Sequence, residues 1–402
     1  MRTLKTTLKT IVVLTLLVVV GIAVLLGLLW LDHTRETALL MPTGPFAVGR
    51  TQYAWRDNAH LDARAPQPDT KRQLVVWIWY PAAPQQPQQK FDDYLPAPWR
   101  AALERQSGAL LTQFLTRDLS RVRTHSISDA EVSPQQHSYP VVLMRGGHSA
   151  LSTDYTTLAE DLASHGYVVV GFDAPYRTFI TVLPDGTVIA RSPKNNAELV
   201  SGQEKVELAN KLVQAWSSDM GFAVDQLERL NASDVSGRFL GRLEMQRLGV
   251  FGHSLGGAEA LQFCHDDARC KAGIDVDGAP FGSVVHEGVS QPFMFLMSDH
   301  SGESDDESRW VAANFQSLYS QLPRDRTLRI MIRGANHFGF SDDLKSPLVM
   351  GVMRRLGKRL DGRRQLAITA QYISTFFDVN LQGAPASKLQ SQPEYPEIEY
   401  VH

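Results

Sequence analysis

Apolar positions form one long run at the amino terminus of the chain and then a series of short runs. From position 11 to position 31 no residue is charged, and three basic residues, Arg2, Lys5 and Lys9, precede this run. About 20 apolar residues are needed to span the hydrocarbon core of a bilayer. We therefore predict a cytoplasmic stub over residues 1–10 and a transmembrane signal anchor over residues 11–31, with a long cleaved signal peptide as the alternative.

Downstream, short apolar stretches alternate with segments whose apolar residues recur at helical spacing. The predicted strands are 73–81, 139–145, 167–173, 247–252, 271–277, 292–298 and 328–334. The predicted helices lie near 153–165, 204–230, 254–266, 306–321 and 343–380. Strands that are apolar throughout are buried on both faces, so this alternation predicts a mostly parallel sheet with helices on both sides, an α/β fold in one domain.

Two further segments complete the predicted organisation. Between Trp99 and Leu119 apolar residues recur at helical spacing, which predicts an amphipathic helix that packs in the core or, as the alternative, rests on lipid. The last residues, 383–402, are polar and contain proline, and we expect a flexible tail there. A linker over 32–41 would then connect the anchor to a globular domain over 42–382. By the positive-inside rule this domain lies outside the cytoplasm, in the periplasm if the source is bacterial.

Composition and charge exclude several classes of function. The chain has 402 residues, a formal net charge of −3 and no block of basic residues, which argues against nucleic acid as a partner. It carries no metalloprotease, phosphate-loop or dinucleotide-binding motif, so we expect neither a metal nor an organic cofactor. Its 2 cysteines, Cys264 and Cys270, could form a disulfide outside the cytoplasm or stay as buried thiols.

The stretch GVFGHSLGGAEA, residues 249–260, contains the strongest candidate for chemistry. An apolar run precedes Ser254, and a segment rich in alanine and leucine follows it. Gly252 and Gly256 lack the Cβ atoms that would clash where a strand and a helix meet in a sharp turn. This strand–turn–helix context is that of a nucleophile elbow, and it predicts Ser254 as a nucleophile.

A serine nucleophile needs a histidine base and an acid that orients the base. In hydrolases built on such an elbow, the acid and then the histidine follow the serine along the chain. His337 comes after the last predicted strand, so it lies at the carboxyl edge of the sheet and is predicted as the base. Asp277 and Asp299 end two intervening strands, and the residues alone leave both open as the acid. Asp275 lies two residues deeper in the strand than Asp277, so it would reach the site less easily.

Backbone N–H groups are predicted to stabilise negative charge that develops near Ser254. One belongs to Leu255, the residue after the serine, and the other to a loop after an earlier strand. The stretch VVLMRGGHSALS supplies that loop, in which Gly146 and Gly147 allow a turn and His148 is the expected second donor. The imidazole of His148 could in addition line the substrate pocket.

Six short stretches follow one another along the chain: PTGPFAVGR, VWIWYPA, LASHGYVVVGFD, GHSLGGAEA, KAGIDVDGAPFG and NHFGFSD. This ordered set resembles the platelet-activating factor acetylhydrolase family and its bacterial relatives. The resemblance covers residues 42–380 and implies an α/β-hydrolase fold with Asp277 as the acid and His337 as the base. It also implies a serine esterase that cleaves short-acyl esters or short-acyl phospholipids, and the predicted anchor would hold this esterase on a membrane.

Other functions are compatible with the same residues. A carboxylesterase or a lipase would use the same groups with a different pocket. The stretch RGANHF is similar to cutinase-like polyester hydrolases, in which the acid would correspond to Asp299. A membrane-tethered binding protein without turnover is the alternative from another class, although an intact serine, histidine and acid argue against it.

Overall fold

A large β-sheet with helices on both faces forms the centre of the structure. The computed structural model describes residues 2–84, 90–300, 305–342, 344, 345, 351, 360–390 and 395–401. Its α-helices are α1 (Arg2–His33), α2 (Ala97–Ser107), α3 (Thr156–Ser164), α4 (Gly202–Ser233), α5 (Leu255–Asp266), α6 (Val284–Glu287), α7 (Asp306–Gln321), α8 (Gly362–Leu381) and α9 (Ser387–Gln390). Its strands are β1 (Thr37–Ala38), β2 (Ala47–Leu61), β3 (Lys71–Ala82), β4 (Phe91–Asp93), β5 (Val122–Ser128), β6 (Tyr139–Arg145), β7 (Val168–Asp173), β8 (Ile180–Val182), β9 (Val188–Ala190), β10 (Leu243–His253), β11 (Cys270–Val276), β12 (Phe293–Met297), β13 (Thr327–Ile332) and β14 (Ile398–Tyr400).

The central sheet is mixed but mostly parallel. In the described part of the chain its order is β1-β5-β2-β3-β7-β6-β10-β11-β12-β13-β14, with β4 paired to β5. Each neighbouring pair from β7 to β13 is parallel. The pairs β2–β3, β3–β7 and β13–β14 are antiparallel. The carboxyl ends of the parallel strands therefore meet at one edge of the sheet, and the predicted α/β-hydrolase fold is confirmed.

Two hydrophobic cores, one on each face of the sheet, hold the helices. Along β6 the side chains alternate between the faces: Val141 and Leu143 belong to one core, and Val142 and Met144 belong to the other. The first core also contains residues of α4 and α5, and the second contains residues of α3 and α8. Because helices cover both faces, the central strands are apolar throughout, as their sequence pattern predicted.

The sequence prediction missed strands on the amino-terminal side of the sheet. The longest of them, β2, is only partly apolar, and two of its buried residues, Arg50 and Asp57, are charged. The Arg50 side chain is 1% exposed, and its Nε donates a hydrogen bond to Asp92 Oδ2 at 2.7 Å. Hydrophobic periodicity does not identify a strand whose buried positions are polar.

The predicted amphipathic helix over Trp99–Leu119 is divided in the structure. Helix α2 ends at Ser107, and Gly108 has φ 82°, a left-handed conformation that glycine adopts readily and that ends the helix. A π-helical turn, Leu111–Leu115, follows after the break. Trp99 packs in the core, as predicted, whereas Leu110 is 66% exposed. The apolar residues of this segment therefore divide between the core and an exposed surface, and they do not form one continuous helix face.

The amino-terminal helix is longer than the predicted span. Residues 6–33 have a mean hydropathy of 3.2 in their most apolar window, so this segment is long and apolar enough to cross a membrane.

Farther along the chain, Cys264 and Cys270 form a disulfide, which is one of the two alternatives the sequence left open. Of the helix predicted near 343–380, α8 covers the second half, and most of the first half lies outside the described residues.

The predicted loose tail over 383–402 contributes an edge strand to the sheet. Strand β14 pairs antiparallel with β13, with Ile398 opposite Ile332. The Ile398 side chain is 5% exposed, and Val401 N–H donates to Arg329 O at 2.9 Å. A few apolar residues in a polar stretch are sufficient here, because an exposed sheet edge offers unpaired backbone groups.

This strand gives a direct test of tail packing. We expect Ile398→Ala to lower the free energy of unfolding by about 2–3 kcal/mol, because it removes a buried side chain. The matched variant Val401→Ala, at a half-exposed position of the same segment, should change it by less than about 0.5 kcal/mol. Urea unfolding of both variants measures the difference. If neither variant changed the free energy of unfolding, the result would support a flexible tail instead.

Candidate active site

Ser254 lies at the carboxyl edge of the sheet, in a sharp turn between β10 and α5. Its backbone has φ 57° and ψ −126°, a strained conformation for a residue with a side chain. A Cβ added to Gly252 would stand 1.9 Å from Gly256 O, and one added to Gly256 would stand 2.4 Å from Gly146 O. The turn therefore requires glycine at both positions, as the G-x-S-x-G pattern predicted, and it projects the Ser254 hydroxyl away from the sheet.

Three of the predicted site residues form one hydrogen-bonded series. The His337 ring lies in a short 3₁₀ turn, His337–Phe340, that follows β13, and Asp277 directly follows β11. His337 Nδ1 donates to Asp277 Oδ2 at 2.8 Å, because a carboxylate can only accept. With Nδ1 protonated, His337 Nε2 accepts from the Ser254 hydroxyl at 2.9 Å. The series can therefore draw the hydroxyl proton toward the imidazole.

The Asp277 carboxylate is buried but satisfied by several donors. Besides His337, it accepts from Ser298 N–H at 2.7 Å, from Ser298 Oγ at 2.8 Å and from His300 Nε2 at 2.8 Å. Burial by itself raises the pKa of Asp277, but hydrogen bonds from His300 and His337 outweigh it and hold the pKa well below its ordinary value. Asp277 therefore stays ionised at neutral pH.

The two other aspartates considered from the sequence have different partners. Asp299 Oδ2 accepts from Gly334 N–H at 3.1 Å, in the loop that leads to His337. Asp275 is fully buried, accepts from Gly278 N–H at 2.8 Å, and has its pKa raised by burial. Asp275 thus supports the turn after β11, and Nδ1 of His337 is paired with Asp277.

A second, buried histidine joins the two loops that flank Ser254. Gly147 N–H donates to Tyr155 Oη at 2.9 Å, and the Tyr155 hydroxyl lies 2.8 Å from His253 Nδ1. His253 Nε2 donates to the backbone carbonyl of His337 at 2.8 Å. Burial, and then the neighbouring His337, lowers the pKa of His253 to about 3, so this ring is neutral. Through these hydrogen bonds, His253 and Tyr155 connect the loop that contains Gly147 with the turn that contains His337.

The two predicted backbone donors belong to α5 and to the loop after β6. Leu255 is the first residue of α5, so its N–H has no acceptor within the helix. A Cβ added to Gly147 would stand 3.2 Å from Ser254 Cβ, so the loop before His148 passes close to the serine. The His148 ring is directed to Asn196, with Nε2 3.3 Å from Oδ1, and burial lowers its pKa. No cluster of three or more metal-ligating side chains occurs among the described residues.

A protein-family model for platelet-activating factor acetylhydrolase, isoform II, matches residues 33–382. The chain belongs to this family. The resemblance predicted from its ordered motifs is therefore confirmed.

Known relatives are distant in sequence. A probable 1-alkyl-2-acetylglycerophosphocholine esterase of Arthroderma benhamiae is 25% identical over 385 residues, which cover 90% of this chain and 92% of that protein. The platelet-activating factor acetylhydrolase of Cavia porcellus is also 25% identical, over 240 residues that cover 56% of this chain and 53% of that protein. This second match therefore spans about half the length of the relative.

A solved structure supports the fold. The ferulic acid esterase from Streptomyces cinnamoneus superposes with a TM-score of 0.73, over 92% of this chain and 100% of that chain. The identity is 24%, so this similarity bears on the fold alone.

Sequence reasoning did not assign three side chains that complete the site in this family member. Tyr155 and His253 carry the connection between the flanking loops, and His300 is a second imidazole on Asp277. The sequence offered a signal only for His253, which stands between a glycine of the elbow and the serine. Tyr155 lies 98 residues before His253, and His300 lies 23 residues after Asp277, so no local pattern in the sequence indicates either contact.

The buried ring of His253 predicts a pH-dependent stability. As the pH falls from about 6.5 toward about 3, the unfolded chain binds a proton that the folded state excludes, so stability falls. His253→Gln removes this effect, so we expect the stability difference between wild type and variant to shrink between about pH 7 and about pH 4. Urea unfolding in detergent measures it, with exposed His286→Gln as the control. A constant difference would contradict a neutral, buried His253.

Proposed function

We propose that this member of the platelet-activating factor acetylhydrolase family is a serine ester hydrolase that acts through an acyl-enzyme. The hydrogen-bonded series Ser254–His337–Asp277 carries this proposal. A serine, a histidine and an ionised carboxylate in this order are the parts of a catalytic triad. The strained conformation of Ser254 supports the same assignment, because strain of this kind concentrates at functional sites.

In the first half of the proposed reaction, His337 Nε2 takes the proton of the Ser254 hydroxyl while Oγ attacks the ester carbonyl. The ionised Asp277 stabilises the imidazolium that forms and holds the ring in its orientation. The carbonyl oxygen becomes negatively charged, and the N–H groups of Leu255 and His148 are the proposed donors to it.

In the second half, the tetrahedral intermediate collapses and the carbon–oxygen bond to the leaving alcohol breaks. His337 Nε2 returns its proton to that alcohol, which leaves the acyl group on Ser254 Oγ. A water molecule then attacks the acyl-enzyme with His337 again as the base, so that the carboxylic acid is released and the serine is restored.

The proposed substrates are short-acyl esters, including phospholipids with a short acyl group. The names of the relatives support this class, since the relative from Arthroderma benhamiae is described as a probable 1-alkyl-2-acetylglycerophosphocholine esterase. The amino-terminal helix, which is long and apolar enough to span a bilayer, supports a site that works close to a lipid surface. We propose that α1 is retained as an anchor, with the globular domain outside the cytoplasm.

Replacing the two aspartates separates the possible acids. We expect Asp277→Asn to lower kcat about a thousandfold or more, because the amide no longer stabilises the imidazolium of His337. The matched variant Asp299→Asn should lower kcat by less than about threefold. Steady-state hydrolysis of p-nitrophenyl acetate measures both, after thermal unfolding has shown that both variants fold.

Reversed effects would assign the acid to Asp299, as in a cutinase-like arrangement. Fluorophosphonate labelling supplies the control for the nucleophile, because Ser254→Ala should abolish the adduct. A wild-type protein that forms no adduct and hydrolyses no ester would favour the binding protein over the enzyme.

A series of esters tests the substrate class. We expect kcat/KM to be highest between acetyl and butyryl p-nitrophenyl esters and to fall gradually for longer chains, because each methylene changes specificity by only about 10–200-fold. A phosphatidylcholine with a short acyl group should be cleaved faster than one with two long chains. A maximum at dodecanoyl or longer would identify a lipase, and hydrolysis of simple esters alone would identify a general carboxylesterase.

A further inference from the structure

A largely buried arginine lies one β-hairpin away from the loop that contains His148. Strands β8 and β9 form this hairpin, and Arg191 directly follows β9. Arg191 N–H donates to Phe179 O at 3.1 Å, and Phe179 N–H donates to Ser149 O at 2.9 Å. Two consecutive backbone hydrogen bonds therefore connect Arg191 with the loop that supplies a proposed donor to the carbonyl oxygen of the substrate.

The guanidinium of Arg191 lacks hydrogen-bond acceptors. The side chain is 12% exposed, and its Nη1 is buried with no hydrogen-bond partner among the described residues. Nη2 lies 3.6 Å from Glu198 Oε2, which is longer than a hydrogen bond, and the Glu198 side chain is 71% exposed. A charged donor that is buried without an acceptor is costly. A ligand with anionic oxygens would supply the missing acceptors, and the loosely held Glu198 can move aside for it.

His148 and Asn196 lie beside this arginine. His148 Nε2 donates to Asn196 Oδ1 at 3.3 Å, and the same oxygen accepts from Glu198 N–H at 3.1 Å. Burial, and then the nearby charge of Arg191, lowers the pKa of His148, so its ring is neutral at neutral pH. The arginine therefore supplies the positive charge here. We call Arg191, His148 and Asn196 the arginine cluster.

Two strained residues shape the loops around the arginine cluster. Ser149 has φ 62° and Tyr176 has φ 65°, left-handed conformations that are unfavourable for residues with a side chain. Tyr176 O accepts from Ser192 N–H at 2.9 Å, so this strained turn adjoins the cluster. Ser254 has a similar φ of 57°. Strain of this kind concentrates at catalytic and ligand-binding sites, which agrees with a binding role for the cluster.

We propose that the arginine cluster binds the phosphate of a phospholipid substrate, and that Arg191 selects this leaving group. A planar guanidinium can donate two parallel hydrogen bonds to phosphate oxygens, and Nη1 and Nη2 would both gain anionic acceptors when Glu198 moves aside. Glycerol joins the phosphate to the ester oxygen over only a few bonds, so a phosphate site has to lie close to Ser254. His148 meets this condition, because it follows Gly147, whose Cβ would stand 3.2 Å from Ser254 Cβ. The proposal rests on the proposed esterase function and names the residue by which phospholipids are preferred over simple esters.

Two soluble esters with the same acyl group isolate the contribution of the phosphate. The ratio of kcat/KM for monomeric dibutyryl phosphatidylcholine to kcat/KM for p-nitrophenyl butyrate is the quantity to measure. We expect Arg191→Gln to lower this ratio about 10–100-fold, because charged hydrogen bonds to the phosphate are lost. Arg247→Gln is the matched control, since Arg247 is exposed near the amino end of β10, at the sheet edge opposite Ser254, and it should leave the ratio unchanged. An unchanged ratio in Arg191→Gln would overturn the proposal.

The exposed carboxylate beside the cluster gives a prediction of opposite sign. Glu198→Gln should raise the same ratio, because the phosphate then no longer competes with a carboxylate for Arg191. If this ion pair served only to hold the loop, loss of either partner would have the same effect, and that result would contradict a phosphate site. Arg191→Lys keeps the charge without the paired donors and should lower the ratio less than Arg191→Gln. It keeps the test decisive if Arg191→Gln does not fold.

Binding to a protein without turnover tests the site independently of activity. In full-length Ser254→Ala, held in a detergent without phosphate groups, we expect calorimetry to show binding of sn-glycero-3-phosphocholine. Adding Arg191→Gln should weaken this binding about tenfold or more. Inorganic phosphate should bind more weakly than the glycerol ester, and equal affinities would indicate a site for free phosphate and overturn the role in substrate selection. A wild type that cleaves no ester but binds glycerophosphocholine through Arg191 would refute the esterase function and leave the phosphate site standing.

Discussion

The close approach of β10 and α5 at Ser254 is the constraint on which the candidate site depends. The backbone of Gly256 passes so near Gly252 that no side chain fits at Gly252, and the backbone of Arg145 and Gly146 leaves no room for one at Gly256. This contact forces Ser254 into its positive φ and places the hydroxyl above the carboxyl edge of the sheet. It also sets the first turn of α5 beside the serine, where the Leu255 N–H is free of intrahelical partners. A single steric condition thus positions both the proposed nucleophile and one proposed backbone donor.

A buried ion pair between β6 and α5 stabilises the position of α5 at this contact. Arg145, the last residue of β6, donates from Nε to Glu259 Oε2 on α5 at 3.0 Å, and its guanidinium lies 3.5 Å from the centre of the Trp216 ring. Burial raises the pKa of Glu259 to about 7, while Arg145 acts in the opposite direction. Removing one partner of such a pair is strongly destabilising, because it leaves a buried charge without compensation. The pair therefore holds α5 against the strand whose following loop carries Gly147 and His148.

Three histidines meet at the site in different environments. His337 is partly exposed and lies between Ser254 and Asp277, in the position of the base of the proposed reaction. His253 is buried and neutral, and its hydrogen bonds position the turn that carries His337. His300 donates to the far side of the Asp277 carboxylate, where it helps to keep that group ionised. The same residue type thus serves three purposes, and burial and partners decide which one.

The sequence by itself determined the features that depend on local sterics and on burial. Continuous apolar runs identified the central strands, and glycines around Ser254 identified the elbow, because the backbone of Gly256, four residues farther along the chain, excludes a side chain at Gly252. Only the tertiary structure decided which partners meet. Asp277 and Asp299 end neighbouring strands, and the path of each loop, not its composition, brings the Asp277 carboxylate to His337. The pairing of Tyr155 with His253 and of Asp32 with Arg117 likewise joins residues far apart in the chain. Periodicity reports which face of an element is buried, but sheet order, register and loop direction select the long-range hydrogen bonds.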